Sequence, residues 1–96
     1  MTKHELLDIL TSMKHELRLK FGIEQIALFG SYARDEAKEE SDVDIAVIVM
    51  QEKNYITLIS AMKYLEERLH KKVDLGFFDS IRPFVKKRIR DDMIYV

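Results

Sequence analysis

Residues 44–50 read Asp-Ile-Ala-Val-Ile-Val-Met, a nearly continuous apolar run. A run without polar alternation belongs to a central strand covered on both faces, so the chain must place layers either side of a sheet. The strand nevertheless opens on charge, at Asp42-Val43-Asp44. Side chains alternate along a strand with period two, so Asp42 and Asp44 project from one face. Unpaired there they would be costly, and their repulsion would raise one pKa. A divalent cation removes both penalties. Hard oxygen ligands on one rigid edge suit Mg²⁺, which binds through one or two carboxylates plus substrate phosphates.

The flanking pattern supplies the layers. Leu6, Leu10, Met13 and Leu17 recur at steps of four and three, predicting one amphipathic helix over residues 3–20 that Gly22 ends. Residues 25–29 form a short buried strand closed by Gly30, and residues 31–40 fit a short helix running into a polar loop. Tyr55, Ile59, Met62, Leu65 and Leu69 mark a second long helix and predict its core face, with Leu58 and Tyr64 beside the stripe. Residues 73–78 make a third strand. Asp79-Ser80 looks like the cap of a last helix carrying Ile81, Val85 and Ile89, with Pro83 in its first turn. The order α-β-α-β-α-β-α predicts a single α/β domain over residues 1–96, one sheet with helices packed on it.

Composition narrows the class. The 96 residues are 47% hydrophobic and 34% charged, the balance of a globular chain rather than a disordered one. With no cysteine, a disulfide framework and a thiolate metal site are excluded, which fits a reducing cytoplasm. No run reaches the length of a membrane span. The formal charge of −1 argues against direct nucleic-acid binding. Acid gathers in residues 34–44 and base in residues 82–90.

Two further features converge on the carboxylate edge. Gly30 lets the backbone approach a bulky anion closely, and Ser31 opens a helix whose free N–H groups attract phosphate. Arg34, one turn on, extends toward a phosphate oxygen. Asp74 heads the third strand, where a neighbouring strand would bring it to the same edge; Asp79, at the far end of that strand, is its weaker competitor. Three carboxylates on one edge suit two cations, the arrangement that clamps attacking and leaving oxygens in phosphoryl displacement.

Gly30-Ser31, ten residues, then Asp42-Val43-Asp44 resembles the signature of the DNA polymerase beta-like nucleotidyltransferase superfamily. The string GSYARDEAKEESDVDIAV looks most like the minimal nucleotidyltransferases, the MNT antitoxins paired with HEPN toxins. The resemblance implies that superfamily's fold, a small mixed sheet with flanking helices. It implies that Asp42 and Asp44 bind both metal ions, that Asp74 helps bind the metal activating the acceptor hydroxyl, and that Gly30 and Ser31 hold the triphosphate. One departure stands out: relatives commonly read Gly-Ser-x-Ala-Arg-Gly, and here Asp35 replaces the last Gly. If that position needs positive φ, Asp tolerates it better than most residues.

Metals and a triphosphate cradle imply attack on the α-phosphate of a nucleoside triphosphate, with pyrophosphate leaving. The single unit consumes all 96 residues, so the acceptor is expected on a separate macromolecule. The resemblance implies Mg²⁺ (two ions), ATP as substrate and a HEPN-domain toxin as partner, modified by AMP transfer onto a tyrosine hydroxyl. Two alternatives stay open: neutralisation by binding and occlusion, and transfer to a small molecule with a partner subunit's help. The basic last helix, with Lys86, Lys87 and Arg88, and the acidic loop are the expected docking surfaces. A homo-oligomer is left open. His4, His15 and His70 lack ligand spacing and read as surface residues; Tyr32 reads as packing or exposed.

Overall fold

The computed structural model describes residues 1–96 and resolves the apolar run into strand β2 (Val43–Met50). It is flanked by β1 (Ile23–Phe29) and β3 (Val73–Phe77), with a short β4 (Ile94–Tyr95) on the far side of β1. The helices are α1 (Lys3–Ser12), α2 (Lys14–Phe21), α3 (Gly30–Ala33), α4 (Tyr55–Leu69) and α5 (Pro83–Asp92). The sheet order is β3-β2-β1-β4, and the sheet is mixed: β1 pairs antiparallel with β2 and β4, whereas β2 and β3 run parallel. The parallel pair requires a crossover, and α4 provides it.

One face of the sheet builds the core. Ile26 and Leu28, then Val43, Ile45 and Val47, then Val73, Leu75 and Phe77 join a single apolar cluster with residues of α1, α2 and α4. Leu6, Leu10, Met13 and Leu17 are all buried, as their spacing predicts. The helix carrying them is not continuous, however. It breaks at Met13, whose N–H is shared between the Ile9 and Leu10 carbonyls, next to Thr11 and Ser12, whose hydroxyls donate back to Leu7 and Ile9 carbonyls. Such back-bonding bends helices. Gly22 ends α2 at φ 67°, the left-handed cap anticipated for it.

Three other expectations need correction. The core face of α4 is Leu58, Ala61, Leu65 and Leu69; Tyr55 and Ile59 are 65% and 49% exposed, and Met62 is only partly buried. Tyr55 instead packs edge-on against the Phe77 ring. Asp79-Ser80 lies in a 3₁₀ turn (Phe78–Ser80), and α5 starts later, with Arg82 preceding Pro83 at its first position. The short helix after Gly30 is only four residues long, and β4 adds a strand that no periodicity announced. Nor is β2 covered to its end, since Val49 is 42% exposed. No helix is long and apolar enough to cross a membrane.

The corrected stripe on α4 is directly measurable. Leu65→Ala should cost about 3 kcal/mol of unfolding free energy in urea, because it opens a cavity in the core. Ile59→Ala should cost less than about 1 kcal/mol, since half of that side chain is already solvated. A loss at Ile59 as large as that at Leu65 would return Ile59 to the core face.

Candidate active site

The opposite parity of the sheet carries charge. Phe29 pairs with Asp44 across β1 and β2, and Asp44 pairs with Asp74 across β2 and β3. Three strands therefore deliver Gly30, Asp44 and Asp74 to one edge in lateral order. Asp42 precedes β2 by one residue and joins them. The register puts Asp74, not Asp79, beside Asp44. Asp79 is at the other end of β3, where it accepts a 2.7 Å hydrogen bond from the Lys53 Nζ.

Gly30 is pressed onto this edge. It adopts φ +75°, and a Cβ there would overlap the Asp44 carboxylate, with Cγ at 3.0 Å and Cβ at 3.2 Å. Only glycine tolerates both the backbone angle and the contact. Asp44 is half-buried while Asp42 and Asp74 are exposed. Burial raises the Asp44 pKa, the Asp74 and Asp42 carboxylates raise it further, and Arg34 opposes them. The three carboxylates do not close into a ready-made ligand cluster. Their chemistry nonetheless fits a divalent cation: three carboxylates on one edge, with Asp44 half-buried and in no ion pair of the chain.

Ser31 opens α3, and Tyr32 and Ala33 behind it are buried, which fixes that turn against the core. Tyr32 thus packs rather than meeting solvent. With four residues α3 carries little dipole; what faces the carboxylates is the Gly30–Ser31 backbone itself. Asp35 follows at φ 59°, the left-handed conformation that a glycine would take more easily. Beyond it, the loop is held by Lys71, whose Nζ donates to the Glu39 carbonyl at 2.9 Å.

Arg34 is where the structure differs most from a free phosphate ligand. Its Nη1 donates to Asp92 Oδ2 at 3.0 Å and its Nε to Glu36 Oε1 at 3.2 Å, and the Asp92 bond is the largest cause of its raised pKa. Arg34 also lines a cavity of about 260 Å³ between α3 and α5, with Gly30, Arg88 and Asp92 over an apolar floor of Phe29, Val85 and Ile89. Sequence reasoning missed Arg88 and Asp92 as site residues. Asp92 is 58 residues from Arg34, and no local spacing links them. His4, His15 and His70 are exposed, His70 serving as the left-handed cap of α4.

Residues 10–96 match the family model described as nucleotidyltransferase domain. The chain belongs to this family. It is a nucleotidyltransferase with the fold of the minimal members. The protein adenylyltransferase MntA of Thermococcus cleftensis is 41% identical over 96 residues, which cover 100% of this chain and 97% of the relative. A solved structure described as "putative minimal nucleotidyltransferase" superposes with a TM-score of 0.79 at 25% identity, covering 98% of this nucleotidyltransferase and 95% of that chain. A toxin–antitoxin crystal structure with AMP-PNP shares the fold, with a TM-score of 0.72 at 22% identity, covering 99% of this chain and 72% of that one.

The raised pKa of Asp44 sets the sign of a stability effect. Folding favours the protonated carboxyl, so the folded state gains relative stability at low pH and loses it as pH rises through the raised value. Asp44→Asn should therefore raise the melting temperature of the metal-free protein at pH 7 by a few degrees. The gain should fade as pH falls below the ordinary carboxylate range, where the wild-type group is already neutral. A Gly30→Ala variant should instead melt lower at either pH. Thermal melts at pH 7 and pH 3.5 check both signs.

Proposed function

We propose that this nucleotidyltransferase is the antitoxin of a toxin–antitoxin pair and transfers AMP from ATP to a tyrosine hydroxyl of a partner HEPN-domain toxin, neutralising it. The observation that carries the reading is the pairing of Asp44 with Asp74 across parallel strands, with Gly30 closed against Asp44. That edge offers carboxylate oxygens and a close backbone approach side by side, which phosphoryl transfer needs and a purely occluding surface does not. A protein acceptor is supported by the 41% identity to MntA, a protein adenylyltransferase.

In this reading Asp42, Asp44 and Asp74 hold two Mg²⁺ ions, which would supply charge neutralisation for the triphosphate and acidify the acceptor hydroxyl. Gly30, Ser31 and Arg34 bind the nucleotide. The chain's own work is positioning. Asp74 takes the tyrosine proton, directly or through water, as the phenolate oxygen bonds to the α-phosphorus. The bond from that phosphorus to the bridging oxygen breaks, and its electron pair leaves with pyrophosphate. ATP as donor puts the reaction in the cytoplasm.

Intact-mass spectrometry of the protein co-expressed with its genomic neighbour tests this. The toxin should gain one or more AMP units with the wild-type chain and none with Asp42→Asn, while both variants still co-purify. A stable complex with no added mass, and full protection of cells by Asp42→Asn, would instead establish neutralisation by occlusion. Labelled nucleotide appearing only on small molecules would move the acceptor away from protein.

A further inference from the structure

The cavity between α3 and α5 encloses about 260 Å³ beside Gly30. Pockets that enclose a whole drug-sized ligand run to roughly 300–1,000 Å³, so this one takes a fragment of a ligand whose remainder lies outside it. Its polar lining is two guanidiniums, Arg34 and Arg88, and one carboxylate, Asp92. Gly30 lines this cavity and is itself closed against the Asp44 carboxylate. Cavity and carboxylate edge therefore form one continuous surface, with Gly30 between them.

The Arg34–Asp92 pair spans 3.0 Å, and its side chains are 44% and 29% exposed. An ion pair this wet is worth about 0–1 kcal/mol, so a more highly charged anion displaces it easily. Arg88 is exposed and takes part in none of the ion pairs of the chain. The cavity thus holds one free guanidinium and one held by a replaceable carboxylate. Guanidinium forks match phosphate oxygens bidentately.

Lateral order decides which phosphates. The strand order β3-β2-β1 sets Asp74, Asp44 and Gly30 in sequence across the edge, and α5 lies beyond Gly30 against β1 and α3. In-line displacement puts the entering and leaving oxygens on opposite sides of the reacting phosphorus. With the acceptor hydroxyl on the Asp74 side, the leaving group points towards α5.

Gly30, Ser31 and Arg34 already hold the triphosphate in the proposed reaction; we propose that Arg88 is a second cation for its terminal phosphates and for the departing pyrophosphate. Asp92 is a resident carboxylate that keeps Arg34 turned into the cavity until phosphate replaces it. The assignment rests on the proposed reaction for its ligand, a nucleoside triphosphate, but not for the nature of the acceptor.

Calorimetric titration of the full chain with magnesium pyrophosphate, and separately with AMP, tests it. Arg88→Gln should weaken pyrophosphate binding about tenfold, the loss of one charge-assisted contact, and leave AMP within about twofold. Arg88→Lys should recover part of the loss. Asp92→Asn should bind pyrophosphate about two- to threefold more tightly, because a competing anion is gone. A role limited to supporting α5 predicts weaker binding instead, so the sign of the Asp92→Asn effect separates the two. The proposal is overturned if wild-type protein does not bind pyrophosphate, if Arg88→Gln leaves it unchanged, or if Arg88→Gln costs AMP more than pyrophosphate. None of these titrations contains an acceptor. Failure of the toxin to gain mass would leave them standing, and failure of the titrations would leave the toxin result standing.

Discussion

The close approach of Gly30 to the Asp44 carboxylate holds the two halves of the site together. It exists because β1 and β2 are antiparallel neighbours with Phe29 opposite Asp44, so the last residue of one strand turns over the first charged residue of the other. Parallel pairing of β2 with β3 then adds Asp74 at the same level. Strand alternation makes the charged edge and the core two readings of one element. Val43, Ile45 and Val47 are buried because Asp44 is on the other side of the strand, and a register slip of one residue would exchange them. The core on one face therefore fixes the position of the carboxylates on the other.

That arrangement has a thermodynamic consequence. Asp44 is held half-buried beside two like charges, and Arg34 only partly relieves it. The chain tolerates this because the apolar side of β2 belongs to the single core cluster and a neighbouring strand pairs with it on each flank. Charge that is unfavourable in the protein alone would become favourable in the proposed reaction, where cations and phosphates meet it. Adding a triphosphate alone to three carboxylates is repulsive, so in the proposed reaction nucleotide and divalent cation must each strengthen the binding of the other, and by the same factor.

The sequence made some of this legible and hid the rest for identifiable reasons. Asp42, Asp44, Gly30 and Asp74 could be placed because strand period and element order suffice to align them. On α4, Leu65 and Leu69 could be placed in the core, but the rest of its core face could not. Residues 55, 59 and 62 and residues 58, 61, 65 and 69 are both apolar at helical spacing, offset by less than one turn, and only packing against β3 and α2 selects between them. The break at Met13 depends on hydroxyls bonding back to the preceding turn, a choice that Thr11 and Ser12 do not announce. A two-residue strand such as β4 has no period to detect. Its existence follows from α5 bringing the chain back to β1, where Ile94 pairs with Leu28.

The same return path explains why Arg34 was only half understood from its neighbours in sequence. Its position after Gly30-Ser31 suggests an anion ligand, and the anion it meets in the fold is Asp92, 58 residues on. A carboxylate at that spot keeps a long, flexible side chain aimed where phosphate would otherwise have to order it, and fixing such a side chain on binding costs about 0.5–1.5 kcal/mol. Holding it with a weak, exposed ion pair reduces that cost without creating a strong competitor. The exposure of the pair is thus as informative as its length. A fully buried Arg34–Asp92 bridge would be a structural staple, whereas this one is loose enough to be exchanged and close enough to preorganise.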